Sequence, residues 1–468
     1  MSDTKATDVW LGALPSGWRR SRIGNVAQLS PGYSATVPVA DEVCTIVAME
    51  SLGVNGAIDL RNHRPVDDVP VGLTLFEAGD ALFAKITPCM ENGKGAFVRK
   101  LPTRYAFGST EFHVLRPGGS VDGAFLYYAT FNPVYRAYAA ENMVGAAGQK
   151  RVSSRFLKET RLLLPPLREQ QIIATYLDNS CAAIDGAVAS KRQQLETLDA
   201  LRKAIIQRAV TRGISEHVVL SSTGNSWMES IPRGWQLVAL KRIAEIQGGL
   251  TLGKAYDGPL IERPYLRVGN VQDGHLDLAD VSVIELPASA APGVELRPND
   301  VLMTEGGDLD KLGRGHVWQG EIPGCLHQNH IFAVRCFSHK LKPMFLAFLT
   351  ASPYGRDYFE ATGKKTTNLA STNATKVGQF AIPLPSLAEQ EAICDYLDAK
   401  LGEVKRIVAS IDAQIATLSA YRKSLIHECV TGQRRITEAD VPAAVNKAHT
   451  ATATATATAT GHPENCHA

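Results

Sequence analysis

The chain has 468 residues, 45% of them hydrophobic and 21% charged, and its 49 Lys and Arg against 47 Asp and Glu leave a formal charge of +2. This usage excludes wholesale disorder and a fibrous fold, and the near-neutral balance excludes a uniformly basic, histone-like binder. At roughly 100–200 residues per domain, the length implies two to four domains, each able to bury its own core. The eight cysteines, Cys44, Cys89, Cys181, Cys325, Cys336, Cys394, Cys429 and Cys466, form no C-x-x-C pair, which argues against a disulfide scaffold or a zinc ribbon. Neither an apolar leader nor a run of ~18 apolar residues is present. The expectation is a soluble, cytoplasmic protein away from membranes.

Taken from the start, the chain writes one pattern twice. Leu14-Pro15-Ser16-Gly17-Trp18 returns as Ile231-Pro232-Arg233-Gly234-Trp235, a shift of 231 minus 14, or 217. Leu164-Pro165-Pro166-Leu167-Arg168-Glu169-Gln170 returns as Leu384-Pro385-Ser386-Leu387-Ala388-Glu389-Gln390, a shift of 384 minus 164, or 220. The second shift then holds without a gap through Tyr176-Leu177-Asp178 and Tyr396-Leu397-Asp398, and on to Val210-Thr211 and Val430-Thr431. Such a period is too long for a solenoid and reads as a duplicated module plus helix. Between the markers the copies barely match: Gly79-Asp80-Ala81-Leu82 faces Asn299-Asp300-Val301-Leu302, and little else aligns. A shared frame with dissimilar contents suggests two related modules that read two different things.

Residues 168–211 and 388–431 read as long helices. Ser386 and Glu389 fit a capping box, which Pro166 denies to the first copy. Gly213 and Gly432 suit a left-handed stop. Val404, Val408, Ile411, Ile415, Leu418, Arg422 and Leu425 alternate spacings of four and three, broken at Arg422. Ile184, Val188, Lys191, Leu195, Leu198, Arg202 and Ile205 keep the same register, broken at Lys191 and Arg202. A 3.5-residue stripe is a coiled-coil seam. Each seam lacks another apolar partner in sequence, so the helices are expected to pack on each other, antiparallel, as a rod of ~65 Å. Packing on separate domains is the alternative. Two modules held on such a rod could engage sites about one DNA turn (~34 Å) or more apart.

Several enzyme-like motifs fail on inspection. Residues 248–255 nearly form a P-loop, but Ala255 replaces the hydroxyl that would hold Mg2+. Asn132-Pro133-Val134-Tyr135 approaches the Asn-Pro-Pro-Tyr face of adenine methyltransferases, yet Val134 breaks it. Its repeat, Ser352-Pro353-Tyr354, points instead to a helix start in each module. Cys325, His327 and His330 lack a fourth ligand for a metal site. Asp308 and Asp310 lie among glycines and read as a loop.

Together, the Gly-Trp openings, the two Leu-Pro…Glu-Gln helix starts, the long helices and the inner stretches 83–95, 304–315 and 328–330 resemble the specificity subunit of type I restriction-modification enzymes. The resemblance covers nearly the whole chain to about Arg435. It implies an α+β fold in which two α/β target recognition domains, related by pseudo-two-fold symmetry, are joined by two long antiparallel coiled-coil helices. The recognition domains would be 14–165 and 231–385, the spacer helices 166–213 and 386–435, with a linker at 214–230. Residues 436–468, alternating Ala and Thr from 450 to 460, are expected to be disordered. The resemblance further implies a split DNA target with one half read by each domain. Two methyltransferase subunits would bring S-adenosylmethionine, and two motor-nuclease restriction subunits would use ATP and Mg2+. The chain itself would be non-catalytic and bind no cofactor. A free-standing DNA-binding regulator is the alternative.

Readout of base edges needs donors and acceptors, with Lys and Arg on phosphates. The candidates in the first module are Lys85, Asn92, Lys94, Lys150 and Arg151. In the second they are Thr304, Glu305, Lys311, Arg314, Gln328, Asn329, His330, Lys364, Lys365, Thr366 and Asn368. The glycine-rich basic loops 145–151 and 363–368 occupy the same place before each long helix. For methyltransferase docking, the candidates are Glu169, Gln170, Glu389 and Gln390 on exposed helix faces. For any one residue, a solvated loop or helix position is the plain alternative.

Overall fold

The computed structural model describes residues 10–31, 41–146, 148–307, 309, 312–365 and 370–441. The chain divides into two compact units, residues up to 191 with those from 413, and residues 192–412. Both boundaries fall inside the long helices, which run Leu167–Arg212 and Leu387–Val430, each within one residue of the expected bounds.

In the first unit, strand Arg19–Arg22 pairs antiparallel with Arg161–Leu164, so the module's opening and closing segments lie side by side. A four-stranded antiparallel sheet carries Ala27–Leu29, Phe112–Pro117, Ala81–Ala84 and Gly95–Phe97 in that order. A second four-stranded sheet orders His63–Pro65, Val43–Val47, Ala106–Gly108 and Thr74–Phe76. Helices Gly123–Phe131, Pro133–Glu141 and Ser154–Glu159 complete the module. The second unit repeats this order. Gln236–Ala239 pairs with Ala381–Leu384. The antiparallel sheet is Ala244–Gly248, Ile331–Cys336, Asp300–Thr304 and Gly315–Val317. Helices Pro343–Ala351, Pro353–Thr362 and Ala374–Gln379 follow. The fold is therefore mixed α+β. Within the modules, parallel pairing of described strands is limited to Val43–Val47 with Ala106–Gly108 and Ile261–Leu266 with Leu326–His327.

The expected mutual packing of the helices is present inside each unit. In the first, Ile173, Leu177, Cys181 and Ile184 share a core with Leu425, Ile426, Cys429 and Val430. In the second, Ile206, Ala209 and Val210 share a core with Ile393, Cys394 and Leu397. Arg168 pairs with Glu438 at 2.7 Å and Asp185 with Arg422 at 3.1 Å, so residue numbers rise on one segment as they fall on the other. That is an antiparallel register. Arg422, which interrupts the apolar stripe, is held there by Asp185, and Arg202 by Asp273 at 3.1 Å. Of the three cations that interrupt the two stripes, Arg202 and Arg422 are thus neutralised by carboxylates, and removing either carboxylate would leave a partly buried charge unpaired.

The repeated motifs turn out to bind one another. Trp18 Nε1 donates to Glu169 Oε1 at 3.1 Å, and Trp235 Nε1 donates to Glu389 at 3.1 Å. Gly432, at φ +71°, passes so near Trp18 that a Cβ there would lie 3.2 Å from its Cη2. Gly213, at φ +76°, takes the same place on Trp235, where a Cβ would lie 3.4 Å from Cζ2. The expected left-handed stops are thus also points of close approach. In the expected capping box, Ser386 Oγ accepts from the Glu389 N–H at 3.3 Å, but the Glu389 carboxylate is engaged by the indole.

Gln170 and Gln390 correct the docking assignment. Both are 0% exposed. Gln170 Nε2 donates to the Pro165 and Ser120 carbonyls and its Oε1 accepts from the Asp122 N–H. Gln390 does the same with Pro385, Lys340 and Lys342. Neither side chain can touch a partner, because each plugs the junction of helix and module. Glu169 and Glu389 are likewise turned to Trp18 and Trp235. Replacing Gln390 by Ala would orphan buried backbone groups at about 1–3 kcal/mol each. Calorimetry of the full chain is expected to show the unfolding midpoint of Gln390→Ala lowered by roughly 5 °C or more, with a similar loss for Gln170→Ala. An unchanged midpoint would remove the plug.

Candidate nucleic-acid interface

The predicted residues gather at one backbone junction in each module. In the first unit, Lys85 leaves strand Ala81–Ala84. Its N–H donates to the Glu111 carbonyl at 2.9 Å, and its own carbonyl accepts from Val152 N–H at 2.9 Å. Ile86 bridges Arg151, and Thr87 N–H donates to the Lys150 carbonyl at 3.0 Å. The loop after Lys85 and the basic loop ending at Arg151 are therefore neighbours. In the second unit, Glu305 N–H donates to His330 O at 2.9 Å, and its carbonyl accepts from Thr372 N–H at 2.7 Å. Gly306 and Gly307 pair with Ser371 and Ala370, which pair in turn with Lys364 and Lys365. The backbone connections match one for one, so Lys85, Glu111 and Val152 correspond to Glu305, His330 and Thr372.

The side chains on this frame do not match. Arg151 forks onto Glu111, with Nη2 to Oε1 at 2.8 Å and Nε to Oε2 at 3.0 Å, and the pairing holds the Glu111 carboxyl below its usual range. In the second unit Glu305 Oε2 instead meets His330 Nδ1 at 3.0 Å. Beneath each junction lies a constant. Arg116 pairs with buried Asp80 at 2.8 Å, and Arg335 with buried Asp300 at 3.0 Å. Each Asp also accepts a backbone N–H three residues before it, from Glu77 or Arg297. Sequence reading missed both pairs, although Asp80 and Asp300 fall together at the 220-residue shift.

Asn92, Lys150, His330, Lys364 and Lys365 are exposed, and Lys85, Arg151, Glu305, Arg314, Gln328 and Asn329 are half-buried. One candidate is corrected and a second is partly engaged. Thr304 is 0% exposed, since it is the buried last residue of its strand. Lys94 is half-buried and donates one of its three ammonium N–H groups to the Met49 carbonyl at 2.8 Å. Lys311, Thr366 and Asn368 lie outside the described residues, as do Asp308, Asp310 and residues 442–468 of the tail expected from 436, whereas 436–441 are ordered, with Ile436 buried and Glu438 paired to Arg168.

The glycine run at 248–253 joins this interface by a different route from a P-loop. Leu250 N–H donates to the His327 carbonyl at 2.7 Å, and Asn329 N–H to the Leu250 carbonyl at 2.9 Å. A Cβ on Gly249 would lie 2.3 Å from the Gln328 carbonyl. The run needs glycine to lie against Gln328 and Asn329, and no helix follows it to face a phosphate. Asn132 caps helix Pro133–Glu141 through the Val134 N–H, while Tyr135 is 0% exposed and cannot stack on a base. Cys325 and His327 are buried, with burial lowering the His327 pKa, and His330 is exposed. Among the described residues no group of three or more His, Cys, Asp or Glu could hold a metal ion. No described helix is long and apolar enough to cross a membrane.

Residues 75–197 match the family described as the type I restriction modification DNA specificity domain. The chain is 23% identical over 457 residues to the EcoKI specificity subunit of Escherichia coli strain K12, covering 93% of this chain and 94% of that one. Along nearly its whole length the chain is similar to specificity subunits of type I restriction enzymes. The EcoAI subunit of Escherichia coli is 30% identical, but the alignment spans 41% of this chain and 32% of that relative, and for the EcoBI subunit, 26% identical, 64% of each. The match therefore spans less than two thirds of those two relatives. The fold is similar to that of a chain from a type I R-M system, with a TM-score of 0.68, 19% identity and coverage of 89% and 98%. It is also similar to the HsdS subunit from Thermoanaerobacter tengcongensis, with a TM-score of 0.52, 18% identity and coverage of 90% and 98%.

In this chain, Glu111 is the residue whose side chain fastens the first basic loop. Its pairing with Arg151 contributes fully above the usual carboxyl pKa and is lost as pH falls through the lowered one. Glu111→Ala is expected to speed tryptic cleavage after Lys150 or Arg151 several-fold in the native chain. Unchanged cleavage would show that the loop is held by its backbone bonds alone.

Proposed function

We propose that the chain reads a bipartite double-stranded DNA target, one half-site per recognition module, within a type I restriction-modification complex. The observation that carries this reading is the junction just described. Two modules build the same backbone connections and then place Lys85, Glu111 and Arg151 on one and Glu305 and His330 on the other. Conserved backbone with exchanged donors and acceptors is what reading two different base sequences requires. Asn92, Lys150, Gln328, Asn329 and Arg314 extend the two surfaces, and Lys364 and Lys365 supply phosphate contacts. The chain provides specificity, and catalysis belongs to its partners. Two methyltransferase subunits bring S-adenosylmethionine, and two restriction subunits use ATP and Mg2+. The exposed faces of the long helices are where those subunits dock, in the cytoplasm.

The decisive experiment exchanges residues 14–165 for the corresponding module of a relative and maps methylated adenines in the host genome. One half of the methylated sequence is expected to change while the other persists. Loss of both halves would refute modular reading. Separately, Lys364→Ala with Lys365→Ala is expected to weaken binding evenly across DNA sequences and to reduce the slope of log affinity against log salt by about 1–2. An unchanged slope would take this loop off the phosphates.

A further inference from the structure

The second unit holds a cavity of about 990 Å3 walled by both long helices, helix Pro343–Ala351 and the turns at 273–275 and 315–316. Its apolar lining includes Leu195, Leu198, Met344, Phe348, Leu401 and Val408. The duplication explains why it is there. At the 220-residue shift, Ala347 and Ala351 stand where the first unit has Tyr127 and Phe131. In the first unit those two rings stack with centroids 5.0 Å apart and are buried in the core with Cys181 and Ile184. Their loss in the second unit leaves the facing helix residues Leu401 and Val408 only half-buried. A polar difference accompanies the missing rings. Tyr128 Oη donates to Asp178 at 2.9 Å in the first unit. The second unit has Phe348 and Asp398 at these positions, and Asp398 lines the cavity with no hydrogen bond or ion pair among the described residues.

We propose that this cavity is a binding site for a small aromatic molecule that carries a hydroxyl or amine donor. The ring takes the volume vacated by Tyr127 and Phe131 in the duplicate, and the donor meets Asp398 as Tyr128 meets Asp178. Concave, mainly apolar sites of about 300–1,000 Å3 with a few polar groups are the usual form of small-ligand pockets, and apolar cavities lined by Leu and Phe take up aromatic rings. A concave wall built from five elements favours a small molecule over a flat partner surface. The site lies wholly within residues 192–412 and stands independently of the DNA reading.

The test titrates the purified full-length chain with p-cresol by ligand-observed NMR. Saturable binding is expected, weakened at least tenfold in Ala347→Tyr with Ala351→Phe, which rebuilds the first unit's filling. Asp398→Asn is expected to weaken p-cresol about tenfold and leave toluene, which has no donor, unchanged. If the double variant does not fold, Ala351→Phe alone serves. Absence of saturation, or binding indifferent to the filled variants, overturns the proposal. So does binding by the free chain that disappears once copurifying protein partners are bound, since the pocket would then belong to a partner's aromatic side chain.

Discussion

Everything in this molecule hangs on the bond between an indole and a carboxylate, made twice. Trp18 reaches Glu169 at the start of one long helix while Gly432, just past the end of the other, lies against its ring. Trp235 does the same with Glu389 and Gly213. Each tryptophan therefore fastens a module to the beginning of one helix and the end of its antiparallel mate. Any side chain at Gly213 or Gly432 would meet both a strained backbone and the ring. The buried glutamines beside these carboxylates satisfy the backbone where module and helix join, so the attachment is fixed in angle as well as in place.

On that fixed attachment the modules are free to differ. The antiparallel four-stranded sheet, the Asp–Arg pair beneath it and the backbone bonds of the junction are common to both copies. The fork of Arg151 on Glu111 and the contact of Glu305 with His330 are not. Division of labour explains the pattern. Buried groups that orient the strand ends must be kept for the surface to exist, whereas the side chains beyond the strand ends can differ without cost to the frame, as the proposed readout of two half-sites requires. The same freedom reaches the interior, where Ala347 and Ala351 of helix Pro343–Ala351 stand in place of the first unit's aromatic rings.

The architecture was legible because repetition and periodicity are local properties. The helix bounds, the glycine stops and the antiparallel seam all follow from spacing. Arg202 and Arg422 looked like faults in the stripe because their partners, Asp273 and Asp185, are distant in sequence or on the other helix. Glu169, Gln170, Glu389 and Gln390 were assigned to a partner surface for the same reason. A charged or amide residue in the first turn of a helix reads as solvated until the indole or carbonyl that meets it is known. Thr304 and Lys94 carried groups suited to DNA, but strand alternation could not tell that the one ends inside the sheet and the other bends back to Met49. Glu111 was overlooked because a carboxylate near a proposed anion surface attracts no notice without its arginine.

One further consequence lies in how the two units are strung. Residues 192–412 form the second unit in a single uninterrupted stretch, whereas the first is completed only by residues from 413 onward. A ribosome delivers the chain from its beginning, and domains close as soon as their parts are available. The later-encoded unit can therefore close before the earlier one, whose Cys181 and Ile184 await Leu425 and Cys429. During translation the first unit is left with an open apolar flank until the last long helix emerges, which makes it the half that depends most on prompt completion of synthesis.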